Sequence, residues 1–129
     1  IPLPRSRAPL GAMRLALAEL GAGGPVGLFP EGMRVWVWGE APAKRGAAWL
    51  ARRAAVPLLP VALAGSEEAL GRGTRQVSRQ PIHAVVCAPI YPGDFAGEPD
   101  PLGAMTVEWR RRIDEGLAHA YERLRLRTG

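Results

Sequence analysis

Leu10, Met13, Leu17 and Leu20 recur every three or four residues, which predicts a helix beginning after Pro9 and stopping at Gly21. Val26 to Phe29 is a short apolar run between Gly/Pro turns and reads as a buried strand. Pro30 has no N–H for a ladder, so a loop begins at Pro30-Glu31-Gly32. Val35-Trp36-Val37-Trp38 alternates two apolar types and leaves its structure open, and Gly39 to Pro42 reads as loop. An alanine-rich helix is expected from Lys44 to Ala55, ending before Pro57. Leu58 to Leu63 is a second strand, in which Pro60 argues for an edge or a bulge. Glu67 to Leu70 makes a helical turn, Gly71 to Gln80 a polar basic loop, and Ile82 to Cys87 a third strand. After a loop at Phe95 to Pro101, a last helix runs from Leu102 to Leu126 with Trp109, Ile113, Leu117, Tyr121 and Leu124 on its buried face. Alternating helices and strands predict an α/β fold, a mostly parallel sheet flanked by helices, in one domain spanning residues 1–129.

Composition narrows the setting. The chain has 129 residues, enough for one core, and its opening at Ile1 is expected to be a start partway into a longer protein. Nothing near Ile1 resembles a signal peptide. The most apolar stretch, Ala54 to Gly65, holds Pro57 and Pro60 and falls short of the roughly 20 apolar residues a membrane span needs. Cys87 is the only cysteine, which excludes an internal disulfide and reads as a small buried hydrophobe in a reducing compartment. High Ala, Gly, Pro and Arg content points to a GC-rich bacterial genome. The net charge of +5 rests on arginine, with Lys44 the sole lysine, and favours an anionic partner: nucleic acid, an acidic membrane or a phosphorylated small molecule. No spaced His/Cys/carboxylate set, Walker loop or dinucleotide fingerprint is present, so no metal and no cofactor is expected.

The chemistry concentrates in Phe29-Pro30-Glu31-Gly32-Met33-Arg34, which leaves a strand at its C-terminal end, where open α/β sheets bind ligands. Gly32 permits close backbone approach, Arg34 offers a fork of donors suited to phosphate, and Glu31 can orient a basic group or a hydroxyl. A surface turn with one solvated ion pair is the plainer alternative. The spelling resembles the FPEGTR signature of the lysophosphatidate and glycerol-3-phosphate acyltransferases, with Met33 in place of threonine. Lys44-Arg45-Gly46-Ala47 is similar to that family's Lys-x-Gly-Ala block, although Ala43 departs from its preceding aromatic. Val56-Pro57-Leu58-Leu59-Pro60-Val61 is similar to its V-P-x-x-P-V strand, and Arg5, with Arg7 competing, stands where its arginine motif falls. The resemblance covers roughly residues 1 to 90.

It implies a fragment of the glycerolipid acyltransferase α/β domain. The implied reaction moves an acyl group from acyl-CoA or acyl carrier protein to the hydroxyl of a lysophospholipid or glycerophosphate acceptor in phospholipid synthesis. Substrate contacts would then come from Arg5, Phe29, Pro30, Glu31, Gly32, Arg34, Lys44, Gly46 and Pro60. The family's general base is a histidine in H-x-x-x-x-D. Here Ala88 and Leu124 stand five residues beyond His83 and His119, so neither forms the motif. The motif is expected N-terminal to Arg5, and the chain alone is expected to be inactive. The resemblance also implies a cytoplasmic protein held peripherally at the inner face of the cell membrane, against anionic lipid.

Two other classes compete. One is a non-catalytic lipid-binding domain of the same type. The other, less favoured because no nucleic-acid motif is present, is a basic nucleic-acid module using Arg72 to Arg79. Trp36 and Trp38 either line an acyl channel or membrane interface, or simply pack a short segment; Trp49 and Trp109 are expected in the core. Arg110 to Arg112, with Arg123, Arg125 and Arg127, make the last helix cationic on its solvent side.

Overall fold

The computed structural model describes residues 10–33, 35, 37–70 and 75–128. In chain order the elements are α1 (Leu10–Gly21), α2 (Gly46–Ala54), β1 (Val61–Ala64), α3 (Ser66–Leu70), β2 (His83–Val86), a 3-10 turn (Pro92–Phe95) and α4 (Pro101–Thr128).

The long helix α4 organises the rest. Its start is fixed locally: the Asp100 carboxylate accepts the Gly103 N–H at 3.1 Å, and Pro101 occupies the first turn, where no N–H partner is needed. Met105, Trp109, Ile113 and Ala120 are buried along one stripe at helical spacing. Against that stripe lie Ala48 and Ala51 of α2, Ala62 of β1, and Ile90, which together form the core. Alanines on α2 bring two helix backbones close without leaving volume to fill. At about 1.5 Å per residue, the 28 residues of α4 span roughly 42 Å, far more than the short strands they cover. Its last turns therefore leave the core, and Arg123, Arg125 and Leu126 are exposed.

The sheet corrects the expectation of mostly parallel strands. Among the described residues it has two strands, paired antiparallel with Val61 opposite Val86 and Ala64 opposite His83. A parallel return needs a crossover that spans the sheet. Here α3 is only 5 residues long. The chain also doubles back beside it, with the Ser78 N–H donating to the Ala69 carbonyl at 2.9 Å and the Ser78 hydroxyl to the Glu68 carbonyl at 2.7 Å. Gly65, at φ +86, lets the Pro81 carbonyl come within 2.4 Å of where a Cβ would sit. The chain thus re-enters next to the end it has just left, and antiparallel pairing follows.

Alternation places Ala62 and Ala64 against α4 and leaves Val61 and Leu63 exposed. Gly116 makes the contact possible, since a Cβ there would lie 2.7 Å from Cys87 Sγ and 3.0 Å from Ala62 Cβ. Near Pro60, where an edge or a bulge is expected, the register shifts, with the extra residue on the facing segment between Cys87 and Ile90. Leu58 bridges Ile90 while Val61 pairs with Val86, so three steps on one strand face four on the other. Val26 to Phe29 belongs to no strand among the described residues, unlike the expectation.

Two side-chain expectations also change. Trp49 is 37% exposed, because it stands half a turn away from the middle of the buried face made by Ala47, Ala48, Leu50 and Ala51. Tyr121 is exposed beside the buried Ala120, and its hydroxyl donates to the Glu67 carboxylate, tying α4 to α3.

Candidate functional site

Phe29 to Gly32 form a tight turn, closed by the Gly32 N–H donating to the Phe29 carbonyl at 2.9 Å, with Pro30 at its second position. Gly32 takes φ +69, a conformation that side chains other than glycine disfavour. The Pro30 carbonyl in turn accepts the Lys44 N–H at 2.8 Å. This bond brings the Lys44-Arg45-Gly46 block onto the Pro30-Glu31-Gly32 block. The Lys44 side chain folds over Gly32: a Cβ built on that glycine would lie 3.0 Å from Nζ. Lys44 is exposed and forms no ion pair among the described residues, so its ammonium is available to an anion.

Helix α2 starts immediately beyond. Its first helical bond is Trp49 N–H to Arg45 carbonyl at 2.9 Å, and no side chain caps its N-terminus. The amides of the first turn and the positive end of the helix dipole therefore lie next to Lys44. Arg45 is turned away into a salt bridge with Asp100 at 2.8 Å, which joins this corner to the start of α4. Only a void of about 10 Å³ is enclosed here, lined by Pro30, Lys44, Ala47, Ala48, Leu58, Thr106 and Trp109, roughly room for one water. Among the described residues the site is an open surface corner rather than a pocket. A larger hollow of about 380 Å³ lies at the other end of α2, near Arg52 and Tyr91; Val56 and Pro57 of the third block line it, but no residue of the Phe29 to Arg34 or Lys44 to Ala47 blocks does.

The structure brings together Pro30, Glu31, Gly32, Lys44 and Gly46. Glu31 is half-buried and Phe29 is 75% exposed beside the turn. Arg5 and Arg34 lie outside the described residues, as do Trp36 and the start of the Arg72 to Arg79 loop. Pro60 is not part of this corner: it is fully buried, and its carbonyl accepts the Cys87 N–H at 2.9 Å, so it shapes the sheet.

Trp38 has a role that the alternation around it did not reveal. Its indole N–H donates to Asp114 Oδ1 at 2.6 Å, and the Arg110 guanidinium lies 4.3 Å above its ring. Trp109 meets it edge-on at 6.0 Å, and Arg110 also reaches Asp114 at 3.4 Å. The signal available in sequence was the Arg110/Asp114 spacing of four on a predicted helix.

The rest of the arginine cluster is internally paired. Arg111 and then Arg112 hold the Glu108 carboxyl down at about 2, by hydrogen bonds that favour its charged form. Arg112 also donates to the Ala88 and Pro89 carbonyls at 2.7 and 2.6 Å, pinning the strand end to α4. Burial pushes the Cys87 thiol up, and the thiol donates to the Arg112 carbonyl at 3.4 Å, which is unlike an activated nucleophile. His83 opens β2, and His119 is exposed on α4. Among the described residues no cluster suits a metal, and no helix is long and apolar enough to cross a membrane.

A family model described as Acyltransferase matches residues 1–64, the part that carries α1, the turn, α2 and β1. The fold is similar to the crystal structure of PlsC from Thermotoga maritima, a 1-acyl-sn-glycerophosphate (LPA) acyltransferase, with a TM-score of 0.65 and 25% identity. The likeness covers 81% of this chain and 43% of that one, so the chain spans less than half of that solved relative. No curated protein matches the chain.

Proposed function

Because the chain belongs to the glycerophosphate and lysophosphatidate acyltransferase family, we propose that it supplies the acceptor-binding part of such an enzyme, as one domain. The reaction is transfer of an acyl group from acyl-CoA or acyl carrier protein to a hydroxyl of a lysophosphatidate-like acceptor in phospholipid biosynthesis. The observation that carries this reading is Lys44, held over Gly32 with an uncapped helix start beside it. An ammonium beside the Pro30 to Gly32 turn and the uncapped start of α2 two residues on both favour an anion, and this combination suits a phosphate monoester.

The chain's own residues bind and orient. The acceptor phosphate rests against Lys44 and the first turn of α2, with the Arg34 and Arg5 guanidinium groups as further partners. Glu31 stands next to the same turn, where it can accept a hydrogen bond from an acceptor hydroxyl. Fixing the phosphate fixes the hydroxyl relative to the thioester, which makes the attack effectively unimolecular. In that attack the new C–O ester bond forms, the C–S bond breaks, and the hydroxyl proton passes to a general base. His83 and His119 are not assigned that role, since neither stands in H-x-x-x-x-D. By itself the chain therefore binds acceptor without turnover. The protein works peripherally at the inner face of the cell membrane, where its lipid substrate lies.

The test is kinetic. Lys44→Ala in the active enzyme is expected to raise the half-saturating acceptor concentration by roughly 10- to 100-fold, the worth of a charge-assisted contact. The donor's value should move by less than about threefold if only the acceptor phosphate is gripped. Equal losses for donor and acceptor would reject the phosphate clamp.

A further inference from the structure

The segment from Pro30 to Lys44 contains no helix or strand among its described residues, yet it carries most of the candidate site. Its two ends are joined by the Lys44 N–H to Pro30 carbonyl bond, which gives it the form of a closed surface loop. Inside, the only described backbone ties are Gly32 to Phe29 at the turn and Glu40 to Val37. A loop without helix or strand among its described residues is steadied by side-chain anchors to the core, which offset the conformational entropy of its residues.

We propose that Trp38 is a positioning residue, clamped between Arg110 and Asp114 of α4 so that the loop holds Glu31, Gly32 and Lys44 in their acceptor-binding arrangement. The inference rests on the acceptor-phosphate reading above and adds a residue and a helix to it. The indole is engaged on all its faces that matter. Its single N–H goes to a carboxylate at 2.6 Å, its ring face takes the Arg110 guanidinium at 4.3 Å, and the Trp109 ring meets it at 62°. Asp114 also takes the Arg110 Nε–H at 3.4 Å, so one carboxylate orients both partners of the indole. Because Trp109 and Ile113 are buried core residues, the loop is tied to the most rigid part of the molecule.

Gly39 shows that the loop is shaped for this contact. It takes φ +92, and a Cβ there would fall 2.6 Å from an Arg110 guanidinium nitrogen. The guanidinium end could swing aside for a side chain, but only at the expense of its place over the indole, and the positive φ itself favours glycine. Simple core filling does not account for the arrangement, since the indole's polar atom is aimed at Asp114, whose side chain is 53% exposed. A phenylalanine would fill most of the space and lack the bond.

The experiment uses amide hydrogen exchange and a glycerol 3-phosphate titration, both followed by NMR on the protein. Trp38→Ala is expected to speed exchange at the Gly32 and Lys44 amides by roughly tenfold or more, while the Met105 and Ile113 amides stay protected. The same variant should weaken glycerol 3-phosphate binding about fivefold or more, because the competent loop shape becomes a minor population. Asp114→Ala and Trp38→Phe, which keep the core filled, should move both readouts in the same direction. Asp114→Asn, which retains an acceptor oxygen, should restore much of the loss. Unchanged exchange at Gly32 and Lys44 in Trp38→Phe and Asp114→Ala would overturn the clamp, whatever the ligand does. Lys44→Ala separates the two ideas. If it leaves glycerol 3-phosphate binding intact, the phosphate reading and the acceptor half of this proposal both fail, and exchange alone then decides the clamp.

Discussion

At Gly32 the backbone stands at φ +69, and the Lys44 ammonium occupies the side where a methyl group would project. Gly32→Ala therefore meets two costs, a left-handed backbone of about 1–2 kcal/mol and displacement of Lys44. It is expected to lower the unfolding free energy obtained by urea titration by that amount and to weaken acceptor binding; a variant with full stability and affinity would remove the glycine from the argument. Glu108 makes a different kind of contribution. Its folded-state pKa is depressed from 4.5 to about 2, so its stabilising effect is complete above pH 4.5 and is lost as pH falls toward 2. Glu108→Gln should flatten that part of the stability-pH curve relative to the parent; parallel curves would show that the Arg111 and Arg112 pairs contribute nothing. Tyr121 runs the other way, its phenol pushed up to about 12 chiefly by the bond to Glu67. That bond stabilises the fold below about pH 10 and fades as pH rises toward 12. In a Glu67→Gln variant, ultraviolet absorbance should show phenolate appearing at lower pH.

Between elements, the tightest constraint is the crossing of α4 over the sheet at Gly116. A side chain there would meet Cys87 Sγ and Ala62 Cβ, which are on a strand backbone that cannot move aside cheaply. Gly116→Val is expected to cost about 2 kcal/mol or more by urea titration, and Ala118→Val on the exposed side of the same helix should cost under about 0.5. If both substitutions cost the same, close packing at this crossing is not what limits stability. The helices were legible from sequence: α1 and α4 lie where the 3.6-residue apolar stripes put them, and α2 lies within the alanine-rich segment before Pro57, although of α1 only Ala16 is buried. Strand direction was not legible, since alternation in Val61–Ala64 reports a buried face and says nothing of which way the neighbour runs. The meeting of Pro30-Glu31-Gly32 with Lys44 was legible only as two blocks at a familiar distance. The bond that joins them is main-chain, and no side-chain pattern encodes it. Trp38 escaped for a related reason: its partner Asp114 is 76 residues away, and a tryptophan among valines looks like packing.

Over the whole molecule, charge divides into a paired part and a surplus. Arg45, Arg110, Arg111 and Arg112 are bound to Asp100, Asp114, Glu108 and Glu115, so these pairs fix structure and add little to the outside field. The net +5 remains after them, and it comes with a lone exposed lysine at the candidate site and with exposed apolar side chains, Phe29, Met33 and Val37, around the same loop. On the proposed reading, an acceptor phosphate held at an open corner rather than in a pocket would stay near a bilayer surface while it is held. A basic residue near an anionic leaflet contributes about 1 kcal/mol, so even a few surplus arginines are enough for reversible attachment without any spanning segment. The protein is therefore expected to sediment with vesicles containing anionic phospholipid and to remain in solution with purely zwitterionic ones. Raising salt from about 0.01 to 0.1 M shortens the screening length from roughly 30 to 10 Å and should release much of the bound protein. Lys44→Ala should reduce vesicle binding only slightly, because the attraction is summed over the surface while the acceptor grip is local. Binding that ignores both lipid charge and salt would place the attachment in apolar insertion instead, and the surplus arginines would need another partner.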